Sequence, residues 1–334
     1  MSDYQIIEDP KIELWNSFLK EFPDGNFRQS FEYGEISKKA FSSLRVVRLA
    51  IVNEGGSNEY TGIIQGEYSS HFGFGMTLGV MMGPLVDRKR VNVLQLVENL
   101  LKELEDYCRK NRIICIRIWV PENWGMDKVL DILGYTEVGK FNGYIVNFGS
   151  GMEDIWKNIA HNKRRNIKKA MKEEVEIFQS HDYEDLKMFY SLLKAAKERG
   201  GFSTYPLSWY SACWEIYPRE LSRVFLARWR DKVVSGVFTV IHGNTVYSMG
   251  AGSFKEGWEA RPNDILHWKV MEWACENGYN KYHMGLVSEP LPVKGSNEWG
   301  IWRWKREWMG NLEKIQVYEK VLLPRYKLIL RVRS

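Results

Sequence analysis

The chain has 334 residues, of which 44% are hydrophobic and 27% charged, and its net charge is +5. This is the composition of a globular protein rather than a disordered one, and at roughly 100–200 residues per domain the length makes about two domains. No apolar run reaches the roughly 18 residues that cross a bilayer, and MSDYQIIEDPKIELW has acidic residues where a leader peptide would carry basic ones, so a cytoplasmic protein without a transmembrane segment is expected. Cys108, Cys115, Cys213 and Cys275 form no C-x-x-C pair and read as reduced, buried thiols. The six histidines lack ligand spacing, so no metal site is expected.

In chain order, Val46–Val52 (VVRLAIV) and Tyr60–Glu67 (YTGIIQGE) read as strands joined by the turn EGGSN. Met76–Met82 is a third apolar stretch. GPLVDRKR then turns the chain into a helix over Val91–Arg109, where Val93, Leu94, Val97, Leu100, Leu101 and Leu104 recur at helical spacing. Ile113–Val120 (IICIRIWV) is a β-branched run that suits a buried strand. The same order then returns. Arg223–Trp229, Val233–Ile241 and Thr245–Ala251 are strands, GSFKEGWEARPND is a polar loop, Ile265–Asn277 is a helix stopped by Gly278, and Tyr279–Gly285 begins another strand. Three strands, a helix and a strand, used twice, suggest a structural duplication. GSG at Gly149–Gly151 is the expected boundary, giving domains 1–150 and 151–334.

Charge divides with the domains. Residues 1–150 carry 17 Lys and Arg against 20 Asp and Glu, whereas residues 151–334 carry 30 against 22. Eleven of the 14 Trp also lie in the second part. A basic, Trp-rich half points to a polyanionic partner. Two segments concentrate the signal. DIWKNIAHNKRRNIKKAMKE, residues 154–173, reads as one helix over 154–172 with a dense run of Lys163, Arg164, Arg165, Lys168 and Lys169, either a solvated face or a phosphate contact. WGIWRWKREWMGN interleaves Trp299, Trp302, Trp304 and Trp308 with Arg303, Lys305 and Arg306. Were it extended, Trp302, Trp304 and Arg306 would share one side. Aromatic surfaces beside cations suit nucleotide bases and phosphates.

Together, FRQSFEYGEI (Phe27–Ile36), GPLVD (Gly83–Asp87), Trp156 with KRRNIKKA (Lys163–Ala170), KERGGFSTYPLSWY (Lys197–Tyr210), TVYSMGAGS (Thr245–Ser253) and WKREWMGN (Trp304–Asn311) resemble the Fem family of peptidoglycan-bridge aminoacyltransferases. No long charged heptad segment interrupts the second domain, which is similar to the compact members without a helical arm. The resemblance implies an α/β (α+β) fold of two tandem GNAT-like domains, each a mixed twisted sheet flanked by helices. It also implies transfer of an amino acid from aminoacyl-tRNA to an amine of a phosphate-bearing cell-wall precursor peptide. No cofactor is implied beyond the aminoacyl-tRNA co-substrate; the partners are that tRNA and the precursor or another amine acceptor, with peripheral contact to a membrane surface, and the chain is expected to be a monomer.

On this resemblance the donor side comprises Lys163, Arg164, Arg165, Lys168, Trp304, Lys305 and Arg306, with Trp304 and Lys305 matching the family's aromatic–Lys motif near the tRNA acceptor end. The acceptor side comprises Gln29, Ser30 and Tyr33, then Glu198, Arg199, Tyr205 and Tyr210, with Tyr247. Three positions depart from family members: Glu35 stands where some carry Lys, Tyr205 where some carry Arg, and His283 where the family has Asp. Catalytic candidates are Lys305, His283 and Glu289, with His267 and Asp264 behind them as bases. Two other readings compete. An acyl-CoA-dependent N-acyltransferase using acetyl-CoA or another acyl-CoA would hold pyrophosphate on a glycine-rich turn before the central helix, and neither GPLVDRKR nor EARPNDI has that pattern. A non-catalytic RNA-binding module would use the same two basic segments.

Overall fold

The computed structural model describes residues 4–22, 25–53, 59–69, 76–89 and 92–323. The EGGSN turn, Arg90 and Val91 lie outside the described residues. The chain begins with β1 (Tyr4–Glu8), α1 (Ile12–Lys20), α2 (Phe31–Ala40), β2 (Leu44–Asn53), β3 (Tyr60–Ser69), β4 (Thr77–Met81) and β5 (Leu85–Val86). It continues with α3 (Val93–Lys110), β6 (Cys115–Pro121), α4 (Asp127–Ile132) and β7 (Thr136–Asn147). After these come α5 (Met152–Asn158), α6 (His161–Lys172), β8 (Glu176–Ser180), α7 (Tyr183–Gly200) and α8 (Leu207–Ile216). The last elements are β9 (Ser222–Trp229), β10 (Lys232–His242), β11 (Thr245–Ser253), α9 (Pro262–Glu276), β12 (Lys281–Glu289), α10 (Trp299–Arg306) and β13 (Asn311–Val321).

Two compact units result, residues 1–140 with 314–334 and residues 141–313. A single cut near Gly149–Gly151 therefore does not describe them. The reason is β13, which runs antiparallel to β6 from Ile315–Pro121 to Val321–Cys115 and so joins the first unit's sheet. Lys320 on that strand places its ammonium 2.6 Å from both oxygens of Glu105, which is 4% exposed and also holds Arg109. A buried carboxylate needs such partners, and the sequence supplies one of them 215 residues away.

In the first unit the sheet order is β1-β2-β3-β4-β6-β13, with β5 also on β3. Alternation along β2 serves both faces: Leu49 and Ile51 pack with Leu96, Val97, Leu100 and Leu104 of α3, whereas Ala50 packs with Trp15 and Phe18 of α1. In the second unit the order is β7-β12-β11-β10-β9-β8. Helix α9 buries Ile265, Leu266, Val270 and Met271 in one core with Phe225, Val237, Val246 and Tyr282. Helix α7 lies against β10 and β11. Both units thus use three antiparallel strands, a helix and a parallel strand, the order read twice in the sequence. Among the described residues, no helix is long and apolar enough to cross a membrane.

The approach of α7 to β11 fixes one wall of the site described next, and Gly252 permits it. A Cβ there would lie 2.3 Å from the Leu192 carbonyl oxygen and 2.5 Å from Leu193 Cα. Gly252→Ala should therefore destabilise the protein by about 1–3 kcal/mol in chemical denaturation. Gly149→Ala, where a Cβ meets nothing within 4 Å, should stay within about 0.5 kcal/mol.

Candidate active site

The parallel strands β11 and β12 are registered over three pairs only, Thr245–Lys281, Val246–Tyr282 and Tyr247–His283. Beyond them β11 continues along β10 to Ser253, and β12 continues to Glu289. Among the described residues the two facing edges, 248–253 and 284–289, have no registered pair, so an opening forms between them. Backbone N–H and C=O groups that line such an opening are available to a ligand. The equivalent strands of the first unit, β4 and β6, pair through all five residues, from Thr77–Cys115 to Met81–Trp119.

Lys305 of α10 enters at the opening. Its Nζ donates to the Leu286 carbonyl at 3.0 Å, and the neighbouring Gly285 takes φ +83°, where an added Cβ would sit 3.4 Å from that Nζ. The residue is 8% exposed, and burial, reinforced by the charge of Lys197, pushes its pKa down to about 8. Lys197, near the C-terminus of α7, is itself lowered by burial and has its ammonium 5.5 Å from the Phe202 ring centre. Glu298 contributes an opposing charge to Lys305 and accepts from Ser288 Oγ at 2.7 Å. Among the described residues neither Lys197 nor Lys305 forms an ion pair. Two ammonium groups without a bound carboxylate can receive an oxyanion or a phosphate. Lys197 was not singled out in the sequence, although it opens the KERGGFSTYPLSWY segment; a lysine late in a helix gives no local sign that its far end is desolvated.

A second cluster lies behind α10. Asp264, 6% exposed in the first turn of α9, accepts from Lys163 Nζ at 2.7 Å and Trp304 Nε1 at 2.7 Å on Oδ1, and from Asn166 Nδ2 at 2.7 Å on Oδ2. Lys163 also lies 3.6 Å from Glu307 and faces the rings of Trp304 and Trp308 at 4.5 and 5.2 Å. His267 contacts the Trp304 ring edge-on at 4.7 Å, and its Nδ1 is 2.7 Å from Tyr282 Oη. Burial drives His267 down to about 3, so it is neutral.

This arrangement corrects several expectations. The basic stretch is two helices, α5 and α6, broken at Ile159–Ala160, where the Ala160 N–H donates to the Glu307 carbonyl. Lys163 is 1% exposed and committed to Asp264, so it is not a phosphate contact. Arg164 donates to the carbonyls of Trp156, Lys157 and Ile159, closing the end of α5. Arg165 and Lys168 remain on the surface. The Trp segment is helical rather than extended: Trp304 is tied inward, whereas the Arg306 guanidinium lies over the Trp302 ring one turn away. Asp264 is engaged by three donors, and His267 is buried with its Nδ1 at the Tyr282 hydroxyl. His283 and Glu289 are not brought together. His283 Nδ1 accepts from Gly285 N, its Nε2 is 3.7 Å from Glu313, and it lies 5.3 Å from the Tyr247 ring, whereas Glu289 accepts from Asn142.

The predicted acceptor residues are dispersed. Gln29 is fully buried, with its amide donating to the Gln65 and Met81 carbonyls and accepting from Gln65 N–H, so it braces the first unit's sheet and does not face a ligand. Ser30 caps α2 through the Tyr33 N–H, and Tyr33 is buried edge-on to Phe27. Arg199 donates to the Ser253 carbonyl and lies over Trp258; Glu198 is exposed beside Lys194. Tyr205 stacks on Trp209 at 4.6 Å, and Tyr210 is buried between Phe189 and Phe238. The first unit has a cavity of about 450 Å³ floored by Leu14, Phe18, Tyr60, Leu85 and Trp124, and none of the predicted acceptor residues lines it.

The acetyltransferase (GNAT) domain family matches residues 157–306, the stretch holding Lys163, Asp264 and Lys305. The lipid II:glycine glycyltransferase of Staphylococcus aureus (strain COL) is 23% identical, covering 95% of this chain and 93% of the relative. The solved structure of FemX superposes with a TM-score of 0.81 at 19% identity, covering 97% of this chain and 99% of that one. A tandem GNAT protein from the clavulanic acid biosynthesis pathway superposes with a TM-score of 0.58 at 9% identity, covering 96% and 99%. The fold is thus tandem GNAT, and the protein is an acyltransferase. Within that class the chain is similar to the Fem-like aminoacyltransferases over most of its length.

Burial of Lys305 has a measurable consequence. Below pH 8 the folded state holds its charge in a desolvated site, while the unfolded chain holds it in water; from pH 8 to 10.5 the folded state releases the proton first, so stability rises with pH across that window. Lys305→Met should therefore be more stable than wild type at pH 7, by up to about 3 kcal/mol. The gain should fade by pH 10.5 in pH-dependent urea melts.

Proposed function

We propose that the protein moves an amino acid from aminoacyl-tRNA to an amine of a cell-wall precursor peptide. The observation that carries this reading is the Lys305 ammonium, buried where β11 and β12 part and without an ion pair among the described residues. The name of the Staphylococcus aureus relative, a glycyltransferase acting on lipid II, supports the class of acceptor. The donor's ester carbonyl enters the opening. The acceptor amine attacks its carbon, and negative charge gathers on the carbonyl oxygen. Lys305 faces that charge in a desolvated site, where a fixed cation stabilises a transition state far more than in water. The new C–N bond forms as the ester C–O bond breaks, and the departing ribose hydroxyl takes the amine's proton. His283 and Glu289, held apart on β12, are not required as a base. Arg165, Lys168 and Arg306, all exposed, meet the polyanionic body of the tRNA.

The acyl-CoA reading fits the same fold less well. The start of α9, where a pyrophosphate would rest on free N–H groups, has Pro262 at its first position and the Asp264 carboxylate in its first turn. A proline offers no N–H and a carboxylate repels an anion.

With purified protein, charged tRNA and a lysine-bearing precursor peptide, mass spectrometry should detect an aminoacylated peptide. Acetyl-CoA in place of charged tRNA should give no product; acetylation with no aminoacyl transfer would establish the competing reading. Lys305→Ala should reduce kcat/KM by about 10²–10³. The double variant Arg165→Ala/Lys168→Ala should bind tRNA more weakly and lower the slope of log affinity against log salt by about 2, measured by filter binding over a salt series.

A further inference from the structure

Helix α10 spans eight residues and has no side-chain cap at its N-terminus. A helix that short has little stability of its own, so its rotation is set by what its side chains grip. On its inner side Trp302 packs into the core, and the polar grip is one carboxylate. Asp264 Oδ1 accepts from Trp304 Nε1 and from Lys163 Nζ, both at 2.7 Å, and Asn166 takes the other oxygen. Lys163 in turn reaches Glu307 at 3.6 Å and lies against the faces of Trp304 and Trp308. The Ala160 N–H meets the Glu307 carbonyl at 2.9 Å. Trp304, Glu307 and Trp308 are thus all tied to α6 and α9. Lys305 follows Trp304 directly, and adjacent helical residues are separated by about 100°. Whatever fixes Trp304 therefore fixes the direction in which Lys305 leaves the helix.

We infer that Asp264 is a positioning residue for Lys305, acting through the Trp304 indole and the buried Lys163. This rests on the reading that Lys305 serves the transfer reaction. It also accounts for a buried ion pair inside the basic run. Removing one partner of such a pair is far more disruptive than exchanging both for apolar groups, so pairs of this kind are better explained by geometry than by stability. Around Lys305 the fixed groups are the Leu286 carbonyl on β12, the charge of Lys197 on α7 and that of Glu298 before α10. A rotation of α10 would shift the ammonium relative to the Leu286 carbonyl and Lys197, which lie on other elements.

The test uses Trp304→Phe, which keeps an aromatic ring and leaves the Lys163–Asp264 pair intact, alongside Asp264→Asn. Lysines are reductively ¹³C-methylated and the Lys305 resonance, assigned with Lys305→Arg, is titrated by NMR. We expect Trp304→Phe to raise the Lys305 pKa by at least half a unit as its ammonium becomes better solvated. We also expect kcat to fall at least tenfold while the KM values for tRNA and acceptor change less than threefold. Asp264→Asn should do the same where it folds; where it does not, Trp304→Phe decides. A wild-type Lys305 titration and wild-type kcat in Trp304→Phe, with only a lowered melting temperature, would show a packing role and overturn the inference. Lys305→Ala run in parallel separates the two ideas: full activity there refutes the function assigned to Lys305, whereas a dead Lys305→Ala beside an unaffected Trp304→Phe refutes the positioning role alone.

Discussion

The site depends on an interrupted ladder. Two parallel strands, β11 and β12, bond for three residue pairs and then separate. Separation leaves main-chain groups without strand partners, a cost that a fold carries only where something else satisfies them. Here Lys305 meets the Leu286 carbonyl, Gly285 turns the chain through positive φ, and Gly252 lets α7 close over the adjoining strand. The first unit uses the same order of elements, but β4 and β6 remain paired from Thr77–Cys115 to Met81–Trp119. One topology, used twice, has been opened in only one copy.

The basic character of the second half divides into three physical roles. Lys163 is internal, Arg164 closes the end of α5, and Arg165 and Lys168 stay on the surface. Lys305 forms a fourth case, a cation with no ion pair among the described residues and a pKa pushed down to about 8. Net charge alone suggested a polyanion-binding surface. The resolved contacts reduce the cations available for it, and among the described residues they leave the buried Lys305 beside the opening without a carboxylate partner.

Much of the fold was legible from local pattern. Apolar alternation placed β2, β3, β9, β10 and β11, helical spacing placed α3 and α9, and each boundary fell within a few residues. What was not legible came from long range. The pairing of β13 with β6, the Lys163–Asp264 contact across 101 residues and the Glu105–Lys320 contact have no local signature. Local pattern also left open whether residues 302–306 were helical, because alternating Trp and cations fit a strand face and an exposed helix alike. Of the candidate residues, Lys305, named from its motif, lies buried against the Leu286 carbonyl, whereas Gln29, Ser30 and Tyr33 proved to be committed to bracing, capping and core packing. Polar residue type cannot distinguish an amide aimed at a ligand from one aimed at its own backbone.

In the proposed reaction the acyl donor is held where β11 and β12 part, with its carbonyl facing Lys305. The most direct measurement is a crystal structure of the protein with a non-hydrolysable amide analogue of an aminoacylated nucleic-acid 3′ end. The analogue's carbonyl oxygen is expected within hydrogen-bond distance of Lys305 Nζ, between residues 248–253 and 284–289. An analogue seated instead in the first unit's cavity beside Tyr60 and Trp124, with Lys305 still bound only to Leu286, would contradict it.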